Sequence, residues 1–154
     1  MNAAIEPSSF REVVALTTLR VAYGLVILTH GVPKALHLPH GTMGDPFAST
    51  THLIANLLGP GLAVPLAWAV TVLETLGAAM LAAGILTRLV ALAFLAEMIG
   101  IAFAMGPAWA WIDRGIEYPA MLGVVAGYLA ARGGGGWSVD AWMRPRAVRP
   151  DSRI

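Results

Sequence analysis

Cysteine is absent from the 154-residue chain. Within this chain that excludes a disulfide framework, thiolate zinc, cysteine-ligated iron–sulfur clusters and a Cys-x-x-Cys relay. Any electron transfer must therefore use a bound quinone, a haem or a partner subunit. Charge is scarce as well: Asp, Glu, Lys and Arg make up 12% of the residues, where soluble globular domains carry roughly 25%. A small soluble protein has a large surface for its volume and needs polar side chains to cover it. An ordinary cytosolic enzyme and a disordered tail are thus poor readings. A formal net charge of +1 offers no field for a nucleic acid.

What is abundant is apolar surface: 57% of the residues are hydrophobic and mean hydropathy is +0.69. Four runs stand out. They extend from Val13 to Lys34, interrupted by Arg20; from Val64 to Leu86, carrying Glu74; from Leu89 to Met105, carrying Glu97; and from Ile116 to Ala131, with Glu117 at its start. A bilayer core needs about 20 residues of helix, so the third and fourth runs should draw on adjoining loops. The expected fold is all-α, a transmembrane four-helix bundle. Residues 1–12 form an N-terminal tail, 13–142 the membrane domain and 143–154 a basic C-terminal tail, expected to be mobile after Pro145. No Ala-x-Ala-like site follows the first run, which is therefore read as a span and not a signal peptide. A soluble bundle with wholly buried helices is the alternative.

Basic residues set the expected orientation. Arg11, Arg88, Arg132, Arg144, Arg146, Arg149 and Arg153 share the side of the termini, against Lys34 and Arg114 on the other. The bias of Lys and Arg toward the cytoplasm places both termini inside a multi-pass cell-membrane protein. Within the long loop 35–63, Ser49 or Thr50 can cap a short surface helix carrying Leu53, Ile54, Leu57 and Leu58. Trp109, Trp111, Trp137 and Trp142 suit the aromatic belts. Gly123, Gly127 and Ala131, like Ala96, Gly100 and Ala104, recur every four residues, a spacing that lets helices approach closely or chains self-associate.

A charge near the bilayer centre costs at least about 2.5–3.5 kcal/mol, so it is generally paired and functional. Arg20, Tyr23, Ile27, His30 and Lys34 fall within an arc of about 80° on a helical projection, a polar seam from mid-membrane to the outer surface. Pro33 is expected to bend its last turn and open a cavity there. Against Arg20 and Lys34 stand Glu74, Glu97 and Glu117; with all of them ionised and His30 neutral one negative charge is in excess, and the expected resolution is a protonated carboxyl group or a protonated His30. Depth alone pairs Arg20 with Glu74 and Lys34 with Glu117. The same charges also read as ion pairs that only fix helix register.

Other patterns are weaker. His37-x-x-His40 and His52 lie in a loop without carboxylates at ligand spacing, and no metal site is expected. Only His30 lies in a span, so a bis-histidine haem lacks its second ligand. Gly133 to Gly136 precede no Gly-Lys-Ser/Thr and read as a joint, not a phosphate cradle. After it, Ser138 and Asp140 can cap a short interfacial helix bearing Trp142.

The order of these motifs resembles the DoxX family. Arg20-Val21-Ala22-Tyr23-Gly24 precedes His30-Gly31-Val32-Pro33-Lys34; Glu74-Thr75-Leu76-Gly77 runs to Ala83-Gly84-Ile85-Leu86-Thr87-Arg88; Glu117-Tyr118-Pro119 and Gly135-Gly136-Trp137-Ser138-Val139-Asp140 follow. Each motif alone is weak, and their order and spacing carry the likeness over about Leu19 to Trp142. Glu97 has no counterpart in that pattern. The resemblance implies a compact four-helix membrane protein, with relatives that include a membrane subunit of a thiosulfate:quinone oxidoreductase and a component of a complex handling oxidative and thiol stress. The expectation is a quinone-interacting membrane subunit of an oxidoreductase. Tyr23, His30 and Lys34 would bind quinone oxygens, Glu74 or Glu117 would exchange protons, Arg20 would tune the carboxylate, and a redox partner subunit would supply electrons. The alternatives are a non-catalytic anchor or assembly subunit for a soluble enzyme, or a small proton-linked transporter acting as a homo-oligomer.

Overall fold

The computed structural model describes residues 9–113 and 115–144. The tail expected after Pro145, with Arg146, Arg149 and Arg153, and the loop residue Arg114 lie outside the described residues.

Ser9 opens the first helix. Its hydroxyl accepts the Glu12 N–H at 3.3 Å, while the Glu12 carboxylate accepts the Ser9 N–H at 2.9 Å, a reciprocal cap that satisfies two donors at once. Helix α1 (Phe10–Leu36) therefore takes in residues 10–12 of the expected tail. The bend expected at Pro33 does not interrupt it: Lys34 to Leu36 remain helical, and the His37 and Leu38 N–H groups close back on Lys34 and Pro33 carbonyls. His30 and Lys34 thus stand on one continuous helix, about one turn apart.

Helix α2 (Pro46–Leu58) fills the long loop. Its cap is Asp45, not Ser49 or Thr50: the Asp45 carboxylate accepts the Ala48 N–H at 2.9 Å, and Pro46 occupies the first helical position, where a missing N–H costs nothing. The two hydroxyls instead bond back to the carbonyls of Asp45 and Pro46. Helix α3 (Pro60–Ala83) follows at once and contains a π-helical turn at Leu73–Gly77. Such a turn holds an extra residue and displaces the normal carbonyl pairing. Here the Thr75 hydroxyl donates to the Thr71 carbonyl at 2.7 Å and the Thr71 hydroxyl to that of Ala67 at 2.8 Å, so threonine side chains re-satisfy the ladder.

Helix α4 (Thr87–Met105) returns across the bundle, and α5 (Glu117–Arg132) packs along it. Helices α1, α3 and α4 are long and apolar enough to cross a membrane; α5, with 16 residues, spans about 24 Å. Gly123 and Gly127 of α5 face Met98 and Leu95 of α4, whereas Gly100 meets nothing. The small residues Ala78 and Ala82 of α3 likewise meet Gly24 of α1. Tyr23, Ile27, Leu81, Phe94, Ala126 and Leu129 form the shared core. Among the described residues there is no strand, and the fold is an all-α membrane bundle.

Both ends of α5 and the polypeptide beyond it matter for closure. After Arg132 the chain folds across the end of the bundle that carries the α3–α4 turn and forms the short α6 (Val139–Trp142). Ser138 caps α6 as expected, accepting the Ala141 N–H at 3.1 Å. Asp140 does something else: its two carboxylate oxygens accept the N–H groups of Leu86 at 2.7 Å and Thr87 at 2.8 Å. It is the missing cap of α4, whose own N-cap position, Leu86, offers no side-chain acceptor. Burial works against the Asp140 charge, but these backbone donors and the Thr87 side chain outweigh it and hold the carboxyl below its usual range.

Asp140→Ala is expected to lower stability by about 1 kcal/mol, read as a lower unfolding temperature of the detergent-solubilised protein. Because the folded carboxyl titrates below its unfolded value of about 3.9, the cap's contribution is complete above that pH. It fades as pH falls through the folded value, so the wild-type advantage should vanish in strong acid.

Candidate functional site

Arg20 does not meet Glu74. Its guanidinium lies near the end of α3 and donates to the carbonyls of Trp137 at 2.7 Å and Leu81 at 3.4 Å. Arg20 is 2% exposed, clamped where the α6 segment crosses the bundle, with the Asp140 charge nearby. Gly84 makes room for it: the residue has φ +77°, and a Cβ there would run into the guanidinium. Arg20 belongs to the closure of the bundle and is remote from the carboxylate it was expected to tune.

Glu74 instead takes Lys34. The Lys34 ammonium lies 2.7 Å from Oε1 and 2.6 Å from Oε2 of Glu74, and the side chains are only 12% and 4% exposed. This replaces both pairings read from depth, since Glu117 is an exposed residue at the start of α5. The reason is helix contact. Gly31, one turn before Lys34, sits directly on the Glu74 backbone, and a Cβ there would collide with it. That close approach of α1 to the π-helical turn puts Lys34 and Glu74 within reach of each other. The turn in turn rotates Glu74 inward from a helix that is otherwise apolar.

Glu97 of α4 completes the group. Both of its carboxyl oxygens are buried, and no donor among the described residues reaches them; the Glu74 carboxyl lies in hydrogen-bond range, and Lys34 acts on it electrostatically. The Tyr23 hydroxyl is also buried without a partner. Tyr23 is 4% exposed, its ring packs edge-on against Phe94 at 5.6 Å, and it lies in electrostatic range of Glu97 and Tyr118. His30 borders the cluster on the loop side. It senses the Glu74 and Lys34 charges, and its ring centroid is 4.9 Å from that of His40 and 6.5 Å from that of Tyr118.

Of the six residues singled out by sequence, four converge: Tyr23, His30, Lys34 and Glu74. Arg20 is held at the other end of the bundle, and Glu117 is exposed at the start of α5, one residue before Tyr118. The sequence reading left Glu97 without a role and missed His40 and Tyr118. Glu97 carried a usable signal, a lone carboxylate mid-way along an apolar run; His40 carried none, because its loop returns to α1 only in three dimensions. His37 contacts Phe47 and Trp68, with ring centroids 5.6 and 6.3 Å away. The loop histidines thus diverge, and among the described residues no three His, Asp or Glu side chains gather to hold a metal.

An open groove of about 710 Å³ runs between α4 and α5 and is lined by apolar residues such as Met98, Phe103, Pro119 and Val124. On α4 it lies on the face opposite Glu97. The polar cluster and the groove are therefore separate features.

A family model described as DoxX matches residues 15–107. The matched stretch holds Tyr23, His30, Lys34, Glu74 and Glu97 and ends before α5 and the Gly135–Asp140 motif. Among curated proteins and among solved structures, none matches the chain.

Proposed function

The chain belongs to the DoxX family of membrane proteins, and from that membership and its buried polar cluster we propose that it is a quinone-binding membrane subunit of an oxidoreductase complex. The observation that carries the proposal is the buried Tyr23 hydroxyl, left without a partner among the described residues and in electrostatic range of the Glu97 carboxyl. Buried polar groups in an apolar bundle are normally hydrogen-bonded, and an unpartnered hydroxyl donor fits a ligand that brings an acceptor. A quinone headgroup is apolar in its ring and polar at two carbonyls, and would supply the two-electron, two-proton couple.

Tyr23 and His30 are the donors for the ligand's oxygens in this reading. Lys34 is engaged by both Glu74 oxygens and holds that carboxylate in the membrane, with its third N–H left to reach a ligand oxygen. Electrons come from a partner subunit, since a chain without cysteine ligates no iron–sulfur cluster. The bias of basic residues toward the α3–α4 turn and Arg132 favours an orientation with both termini in the cytoplasm.

The test is quinone retained by the full-length protein purified from membranes in mild detergent, followed by titration with a short-chain quinone. Tyr23→Phe removes one hydrogen bond of about 0.5–1.5 kcal/mol and is expected to weaken quinone binding by roughly two- to tenfold without changing the fold. A protein that retains no quinone and titrates with none overturns the proposal.

The anchor reading has its own observation. Phe10, Trp137, Trp142 and Met143 are all exposed at the α6 end of the bundle, an apolar cluster suited to the membrane interface or to a soluble enzyme seated there. Co-purification of a stoichiometric soluble subunit, lost in Trp142→Ala without loss of quinone, would favour it.

A further inference from the structure

Three carboxyl-bearing or cationic side chains meet in the cluster, and their charges do not cancel. Lys34 contributes one positive charge and holds the Glu74 carboxylate through both oxygens. Glu97 approaches the same carboxylate within hydrogen-bond range, although ionised carboxylates are acceptors only. Two ionised carboxyls in contact would leave a buried negative charge with no donor, at the cost of an unpaired charge in an apolar medium. A proton between them turns the repulsion into a hydrogen bond and brings the Lys34–Glu74–Glu97 group to net neutrality.

We propose that Glu97 is a proton-binding site of the membrane domain, a carboxylic acid that donates to the Glu74 carboxylate and exchanges its proton with the loop side of the bundle. The independent sign of a ligand here is Tyr23, 4% exposed, with its hydroxyl unpartnered and in range of Glu97. The groups that face the site are Tyr23, His30 and Lys34 from α1, Glu74 from α3 and Tyr118 from α5, with His40 beyond His30. Of these, His30 and His40 stack in the direction of the loops, and both are only half-buried. They place two ionisable side chains between the Glu74 carboxylate and the loops. The functional meaning of this site, a proton source for a bound quinone, rests on the quinone reading; its test does not, so the two can fail separately.

The test uses the full-length protein in lipid nanodiscs without added quinone. Infrared spectra at neutral pH should contain a protonated-carboxyl C=O band that shifts on transfer to D2O and is lost in Glu97→Gln. Absence of the band, its persistence in Glu97→Gln, or its failure to shift in D2O overturns the proposal. A folding defect in that variant would be bypassed by treating the wild-type protein with dicyclohexylcarbodiimide, which reaches carboxyls from the lipid phase. A carboxylic acid adds across one C=N bond of the reagent, its proton going to nitrogen and its oxygen to carbon; a carboxylate ion-paired with Lys34 has no such proton to give. Mass mapping should place the adduct on Glu97 and not on Glu74. An adduct on Glu74, or none on either, overturns the assignment.

Discussion

Lys34→Met is expected to be among the most destabilising single substitutions in this chain. It leaves the Glu74 carboxylate, 4% exposed, without its countercharge, and breaking a buried ion pair from one side costs about 3–5 kcal/mol. The loss would appear as a large drop in unfolding temperature or in yield of monodisperse protein. A second substitution decides the cause. Lys34→Met combined with Glu74→Gln removes both charges, leaves Glu97 a neutral amide to bond, and should recover most of the lost stability. Glu74→Gln alone should be milder than Lys34→Met, because the freed ammonium finds Glu97 next to it. If the double variant is no more stable than Lys34→Met, the pair is not what holds α1 to the π-helical turn.

Arg20→Met should open the opposite end of the bundle. The guanidinium bridges the Leu81 and Trp137 carbonyls, and hydrogen bonds to a charged group contribute about 1.5–3 kcal/mol. Losing them also frees the segment that delivers Asp140 to the α4 terminus. The expected outcome is a fall in stability of about 2 kcal/mol or more, with faster amide exchange at Leu86, Thr87 and the residues of α6. Arg20→Lys should recover little, since one ammonium on a shorter stem does not reproduce a planar fork reaching two carbonyls. Quinone binding at the far cluster should survive in the fraction that stays folded. A loss of binding larger than the loss of folded protein would return Arg20 to the site from which the structure removes it.

These two residues show how far a one-dimensional reading reaches. Both were recognised as membrane charges needing partners, because the cost of an isolated charge in lipid depends only on its surroundings being apolar, and a run of apolar neighbours reveals that. Which partner each one takes was not legible. Depth placed Arg20 opposite Glu74, but it is Gly31, eleven residues farther along α1, that packs on Glu74, while Arg20 meets Leu81 and Gly84 near the end of α3. Glu117 opens a 16-residue helix and is exposed there, while Lys34 is taken by Glu74. The α2 cap shows the same limit on a small scale, since Asp45 before Pro46 outcompetes hydroxyls that prefer their own upstream carbonyls.

The amino-acid sequence alone determined the class of molecule and its inventory. Composition argued against a water-soluble surface, the apolar runs set the long helices, and the motif order pointed to the DoxX family. These conclusions depend on local content, which needs no partner to be read. Tertiary structure alone decided the neighbours: Gly31 against the Glu74 backbone, a π-helical turn that swings one carboxylate inward, Glu97 brought to it from another helix, and Asp140 capping a helix more than fifty residues earlier in the chain. Each is a contact between segments distant in sequence, fixed by close packing and by the need to satisfy every buried polar atom. Those requirements act on the whole bundle at once, so no single segment carries their solution.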